Sequence, residues 1–167
     1  MIVRSERDTD RDAVRRVHAT AFTTPEEADL VDALRAGADP LVSLVAEDAG
    51  EVVGHVMFSP VTLPDQRELR LMGLAPLAVV PERQRGGVGG ALTRAGLERC
   101  REIGAGAVVV LGHPDYYPRF GFVRADTHGI GCPFDAPAEA WMVAELEPGY
   151  LSGARGTARW HAAFDGL

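Results

Sequence analysis

The chain has no lysine and no asparagine, and all 17 of its basic residues are arginines. Without lysine, Schiff-base chemistry and the GxxxxGK[ST] phosphate loop are excluded. Cysteine is scarce as well. Cys100 and Cys132 stand outside any CxxC pair, which argues against a disulfide framework or a structural zinc site and fits a reducing cytoplasm. No apolar run approaches the ~20 residues of a membrane span. The first residues turn charged at once, at Arg4, Glu6, Arg7 and Asp8, so no signal peptide is expected. A formal charge of −7 leaves no basic footprint for nucleic acid or anionic membrane. An acidic surface attracts cationic partners instead, amines among them.

What is present fits one soluble domain. The 167 residues are 46% hydrophobic and 25% charged, ordinary for a single globular core. Ile2 and Val3 begin a strand, and Thr9 is placed to cap a helix running to about Phe22. A second helix is expected from Pro25 to Ala36, with Gly37 as its stop. Leu41 to Glu47 and Glu51 to Val61 read as strands joined by an Asp48-Ala49-Gly50 turn. Arg70 to Val80 is a long apolar strand interrupted at Gly73 and Pro76, which predicts a bulge or splay. A helix follows over Val88 to Ile103, and Ala107 to Leu111 has the continuous apolar character of a buried parallel strand. Together these make a βαβ unit. Further strands are expected at Phe122 to Ala125 and Ala140 to Leu146. The class is mixed α/β, one domain over residues 1–167, with a core to about 147 and a tail over 148–167 packed on it.

The chemistry concentrates where the Arg70–Val80 strand enters the turn Pro81-Glu82-Arg83-Gln84-Arg85-Gly86-Gly87-Val88-Gly89-Gly90. The first N–H groups of a helix lack intrahelical partners and sit at the positive end of its dipole. Glycines let a phosphate approach that backbone closely. A dinucleotide fingerprint would need glycine or alanine where Leu92 stands. The pattern that does fit is [QR]-x-x-G-x-[GA], carried by Gln84, Gly87 and Gly89. A second motif follows the next strand: Gly112-His113-Pro114-Asp115-Tyr116-Tyr117-Pro118-Arg119-Phe120-Gly121-Phe122.

Both motifs resemble the GNAT superfamily of N-acetyltransferases. The first is similar to its coenzyme A pyrophosphate loop, and the second to its tyrosine placed three residues before Gly-Phe. The second phrase also resembles the YhbS-like branch. That likeness extends through Gly54-His55-Val56, Ser59-Pro60-Val61, Cys132-Pro133-Phe134 and Glu145-Leu146-Glu147-Pro148-Gly149, and so covers nearly the whole chain.

The resemblance implies a splayed, mostly antiparallel sheet with a central parallel strand pair and helices on both faces. It implies acetyl-CoA as co-substrate, with no metal. The pantetheine arm would run along Leu77, Ala78 and Val79, and the pyrophosphate would meet Gln84, Arg85, Gly86, Gly87, Val88, Gly89 and Gly90. Tyr117 would be the general acid for the departing thiolate, and a backbone N–H near Val79 the oxyanion donor. No carboxylate lies on Met72 to Val80, so His113, just past a strand end, is the candidate base. His55 reads as a hydrogen-bonded core histidine. The acceptor would be the amine of a small molecule or peptide, bound near the first two helices. Glu26, Glu27 and Asp29 there could attract an amine, although solvated helix charge is the ordinary reading of such residues. A homodimer is left open. The alternative from another class is a catalytically degenerate acyl-CoA sensor, which would have no need of a phenol at the sulfur.

Overall fold

Alternating burial along the strands sorts the side chains onto two faces, and the helices follow that division. In the computed structural model, which describes residues 1–166, Val45, Met57, Leu71, Val109 and Val143 face one core with Val14, Val31 and Leu34. Their sequence neighbours Leu44, Phe58, Met72, Val108 and Met142 face the other core, with Val88, Leu92 and Cys100. This two-residue period is the strand geometry itself. A fully buried Phe58 or Leu34 contributes roughly 1.5–3 kcal/mol to holding its layer in place. Leu167, the last residue of the expected tail, lies outside the described residues.

The elements in order are β1 (Ile2–Ser5), α1 (Arg11–Ala21), α2 (Glu26–Gly37), β2 (Val42–Asp48), β3 (Glu51–Thr62), β4 (Leu71–Val79), α3 (Val88–Glu102), β5 (Ala107–Leu111), β6 (Val123–Arg124), β7 (Ile130–Gly131), β8 (Trp141–Glu145), β9 (Gly156–Thr157) and β10 (Arg159–Trp160). The main sheet runs β1-β2-β3-β4-β5-β8-β6, with β10 on the free end of β3. All its pairings are antiparallel except β4 with β5. Helices α1 and α2 cover one face and α3 the other.

The β4–β5 pairing holds only at Leu71–Ala107, Met72–Val108 and Gly73–Val109. Beyond Gly73, β4 continues to Val79 while β5 pairs onward with β8 alone, so a gap opens between them. A bulge marks its start. Val56 faces Leu77 and Phe58 faces Leu74, which sets Ala75 and Pro76 together against Met57. The interruptions in the sequence thus mark the splay.

Two local expectations change. Thr9 does not cap α1. A short 3₁₀ turn over Asp8–Asp10 precedes the helix, and the Asp10 carboxylate accepts the Arg7 N–H at 2.7 Å. It also takes both Arg4 guanidinium nitrogens, at 2.7 and 3.0 Å. A charged pair of that kind outbids a threonine hydroxyl for the turn. The tail is also more structured than its composition suggests. β10 pairs with Val61 and Thr62 of β3, and the Trp160 ring lies so close over Gly73 that a Cβ there would sit 2.3 Å from it.

Candidate active site

Two cavities meet in the splay. The first, of about 470 Å³, lies over the N-terminus of α3 and includes Gln84, Arg85, Gly87, Gly89 and Gly90 in its lining. Gly87 caps the helix with φ +89°, a conformation that costs an L side chain of order 1–3 kcal/mol. Arg85 also has positive φ, at 63°, so the loop is bent twice just before the helix. Within the first turn of the helix, a Cβ at Gly89 would sit 2.9 Å from the Tyr116 hydroxyl. The cradle therefore depends on bare backbone at that point.

Of the other expected contacts, Leu77 and Val79 line this cavity. Ala78 is buried opposite His55 of β3, and Val88 packs into the α3 core. Neither lines the cavity, nor does Gly86. The Gln84 amide donates to the Val79 carbonyl at 2.9 Å, tying the loop to the end of β4.

Three arginines, Arg85, Arg94 and Arg119, line this cavity, and among the described residues no carboxylate does. The guanidinium of Arg94 lies 4.9 Å from the Phe120 ring centre, and that of Arg119 4.7 Å from that of Tyr116. Such stacking holds the cations in place at little entropic cost. Sequence reasoning missed Arg94 and Arg119. An arginine on a helix or turn carries no local mark that separates a phosphate contact from a solvated charge.

The second cavity, of about 540 Å³, shares Leu77 and Tyr116 with the first. It brings together His113 and Tyr117 from the segment after β5, Phe22 from the end of α1, and Glu26, Glu27 and Leu30 from α2. Tyr117 is 8% exposed and packs edge-on against Tyr116 and Phe122. Burial, aided by the neighbouring Tyr116, pushes its phenol well above the ordinary tyrosine value, so it stays a proton donor throughout the physiological range.

His55 is fully buried, away from both cavities. It joins His18 of α1 at 2.8 Å and the Ser43 hydroxyl at 2.8 Å. Ser43 donates to Glu6, which is held by Arg35. Cys100 is a buried core residue whose thiol burial pushes up to about 12. The Cys132 thiol is raised too, also by burial. Neither is an activated nucleophile. Among the described residues no group of His, Cys, Asp and Glu could hold a metal ion.

The pattern described as Acetyltransferase (GNAT) domain matches residues 3–125. The uncharacterized N-acetyltransferase YjhQ of Escherichia coli is 42% identical over 154 residues, covering 87% of this chain and 85% of that protein. The crystal structure of Escherichia coli YhbS in complex with CoA superposes with a TM-score of 0.91 at 34% identity, covering 98% of this chain and 91% of that one. A GNAT family acetyltransferase from Brucella melitensis, solved with acetyl-CoA, gives a TM-score of 0.80 at 37% identity, covering 98% and 97%.

Proposed function

The chain belongs to the GNAT acetyltransferase family, in the YhbS-like branch, and from that footing we propose that it transfers an acetyl group from acetyl-CoA to a primary amine by direct attack in a ternary complex. One observation carries this reading. An arginine-lined cradle at a helix N-terminus opens through Leu77 and Tyr116 into a cavity holding a buried phenol and an imidazole.

The cradle fits the cofactor. Backbone at Gly87, Gly89 and Gly90 is bare, the α3 dipole favours anions, and Arg85, Arg94 and Arg119 supply positive charge for phosphates. Leu77 and Val79, beyond the last β4–β5 pair, offer a strand edge for the pantetheine amides. The bound cofactor supplies the activated acetyl thioester. The protein's own residues do the rest. A backbone N–H near Val79 stabilises developing negative charge on the acyl oxygen. His113, on the second cavity, takes the proton that the cationic acceptor must lose before attack, directly or through water. Tyr117 gives its proton, or a strong hydrogen bond, to the leaving sulfur.

Two measurements test this. Thiol release from acetyl-CoA is followed across a panel of amines, and the active ones are repeated with Tyr117→Phe. The ring and its packing survive that change, so kcat should fall about 100-fold with CoA affinity unchanged. Wild-type turnover in the variant would make Tyr117 a packing residue. Thermal stabilisation by CoA without thiol release for any amine would favour the sensor.

A further inference from the structure

The two cavities differ in charge. Among the described residues, the cofactor side has three arginines and no carboxylate. The other side has two carboxylates, Glu26 and Glu27, and none of the chain's arginines among its described lining. The two glutamates are not equivalent. Glu26 is exposed, whereas Glu27 is half-buried. Glu27 Oε2 is shut off from solvent and has no hydrogen-bond partner among the described residues. A buried, unpaired carboxylate oxygen is costly, and a cation brought to it offsets that cost.

The remaining surroundings are apolar. Phe22, Leu30, Leu111 and Phe164 form much of the wall around Glu27. Leu74, Ala75, Leu111 and Phe164 are shared with a third cavity, of about 570 Å³, which continues the space towards Phe134 and Trp160. Among the described residues, the one charged side chain lining that continuation is that of Asp135, which is exposed and so holds a cation weakly in water. A ligand extending this way meets aromatic surface and few polar partners. Asp135 and the unpartnered Trp160 Nε1 are too few to replace the water that several sugar hydroxyls would lose there.

We propose that Glu27 receives the ammonium head of the acceptor, and that the acceptor carries an apolar, preferably aromatic, body lying along Phe22 and Phe164 towards Trp160. This rests on the reading of the second cavity as the acceptor side. It makes Glu27 the specificity-determining residue and sets arylalkylamines ahead of amino sugars and polyamines.

The test is calorimetric and needs no turnover. Protein saturated with CoA, which has no acetyl group to give, is titrated at pH 7 with benzylamine, spermidine and glucosamine. Benzylamine should bind tightest, and Glu27→Gln should weaken it at least tenfold. Glu27→Asp, which keeps the charge, should restore most of that loss, with CoA affinity the same in all three proteins. This rescue separates lost recognition from a disturbed helix start.

Spermidine or glucosamine binding as tightly as benzylamine overturns the apolar body. Undiminished benzylamine affinity in Glu27→Gln overturns the anchor. No benzylamine binding to the CoA-loaded wild type overturns both, while the acetyltransferase reading stands on thiol release. Failure of CoA to bind would instead sink the acetyltransferase reading, and this inference with it.

Discussion

Lowering the pH from 7 to 4 should cost this protein about 3 kcal/mol of stability through His18, and more through His55, two histidines that line neither cavity. The hydrogen-bond chain fixes their protonation. Ser43 gives its proton to Glu6, so it accepts from His55 Nε2. His55 Nδ1 is then an acceptor and takes the His18 Nε2 proton. Both rings are neutral. A further proton on His18 can go only to Nδ1, which is buried and has no partner among the described residues. Burial, reinforced by the Arg35 charge, accordingly lowers His18 from 6.5 to about 4. His55 is held well below its ordinary value by burial, by His18 and by Arg35.

The sign follows from linkage. Between pH 6.5 and about 4 the unfolded chain binds a proton at His18 that the folded chain refuses, so stability falls as pH falls. At 1.36 kcal/mol per pH unit, that window is worth about 3 kcal/mol, with His55 acting in the same direction. Against a typical total of 5–15 kcal/mol the loss is large. Asp10 acts lower and separately. Its carboxyl is held below 3.8 chiefly by its hydrogen bonds to Arg4, and that contribution is lost only as pH falls through its folded value. Urea unfolding at pH 7, 6, 5 and 4.2, followed by circular dichroism, measures the slope. His18→Gln keeps a donor for His55 but cannot titrate, so its slope should be shallower. A wild type as stable at pH 4.2 as at pH 7 would refute the reasoning. So would an unchanged slope in the His18→Gln/His55→Gln double variant.

Gly89→Val places a branched side chain where even a Cβ would be 2.9 Å from the Tyr116 hydroxyl; CoA affinity by calorimetry should drop at least tenfold in a folded protein, and unchanged affinity removes the cradle assignment. Gly87 is the poorer test, because its φ of +89° would confound binding with backbone strain. Gly96→Ala should lower the melting temperature although alanine favours helices by about 1 kcal/mol. The added Cβ would lie 2.1 Å from the Phe58 ring, and overpacking costs roughly 1–3 kcal/mol; a higher melting temperature would show that α3 can move off the sheet.

The legible parts of this molecule are those whose cause is local. Glycine density at residues 86–90, following a long apolar strand, is enough to announce a strand, a turn and a helix start. Gly73 and Pro76 mark the splay because a missing side chain and a missing N–H disturb pairing where they stand. The less legible parts depend on distant partners. β10 forms because β3 outruns β2, which pairs only as far as Phe58; nothing within Arg159 and Trp160 encodes that. His55 is readable as a core histidine, but its partner His18 lies on another element and is set opposite it only by the packing of α1 on the sheet. Glu27 looks like solvated helix charge until the fold sets it in one cavity lining with Phe22 and Phe164.

The brief β4–β5 pairing has a consequence for how long the protein survives in a cell. Three residue pairs suture two half-sheets, and a cofactor lying along Leu77 to Val79 would act as a further stitch across the opened seam. On the proposed reading, ligand at 100 times its Kd adds about 2.7 kcal/mol to folding stability by mass action. Resistance to proteases would then rise and fall with the supply of acetyl-CoA and CoA. A cell short of both would clear the enzyme fastest when it has least use for it, without needing a dedicated degradation signal.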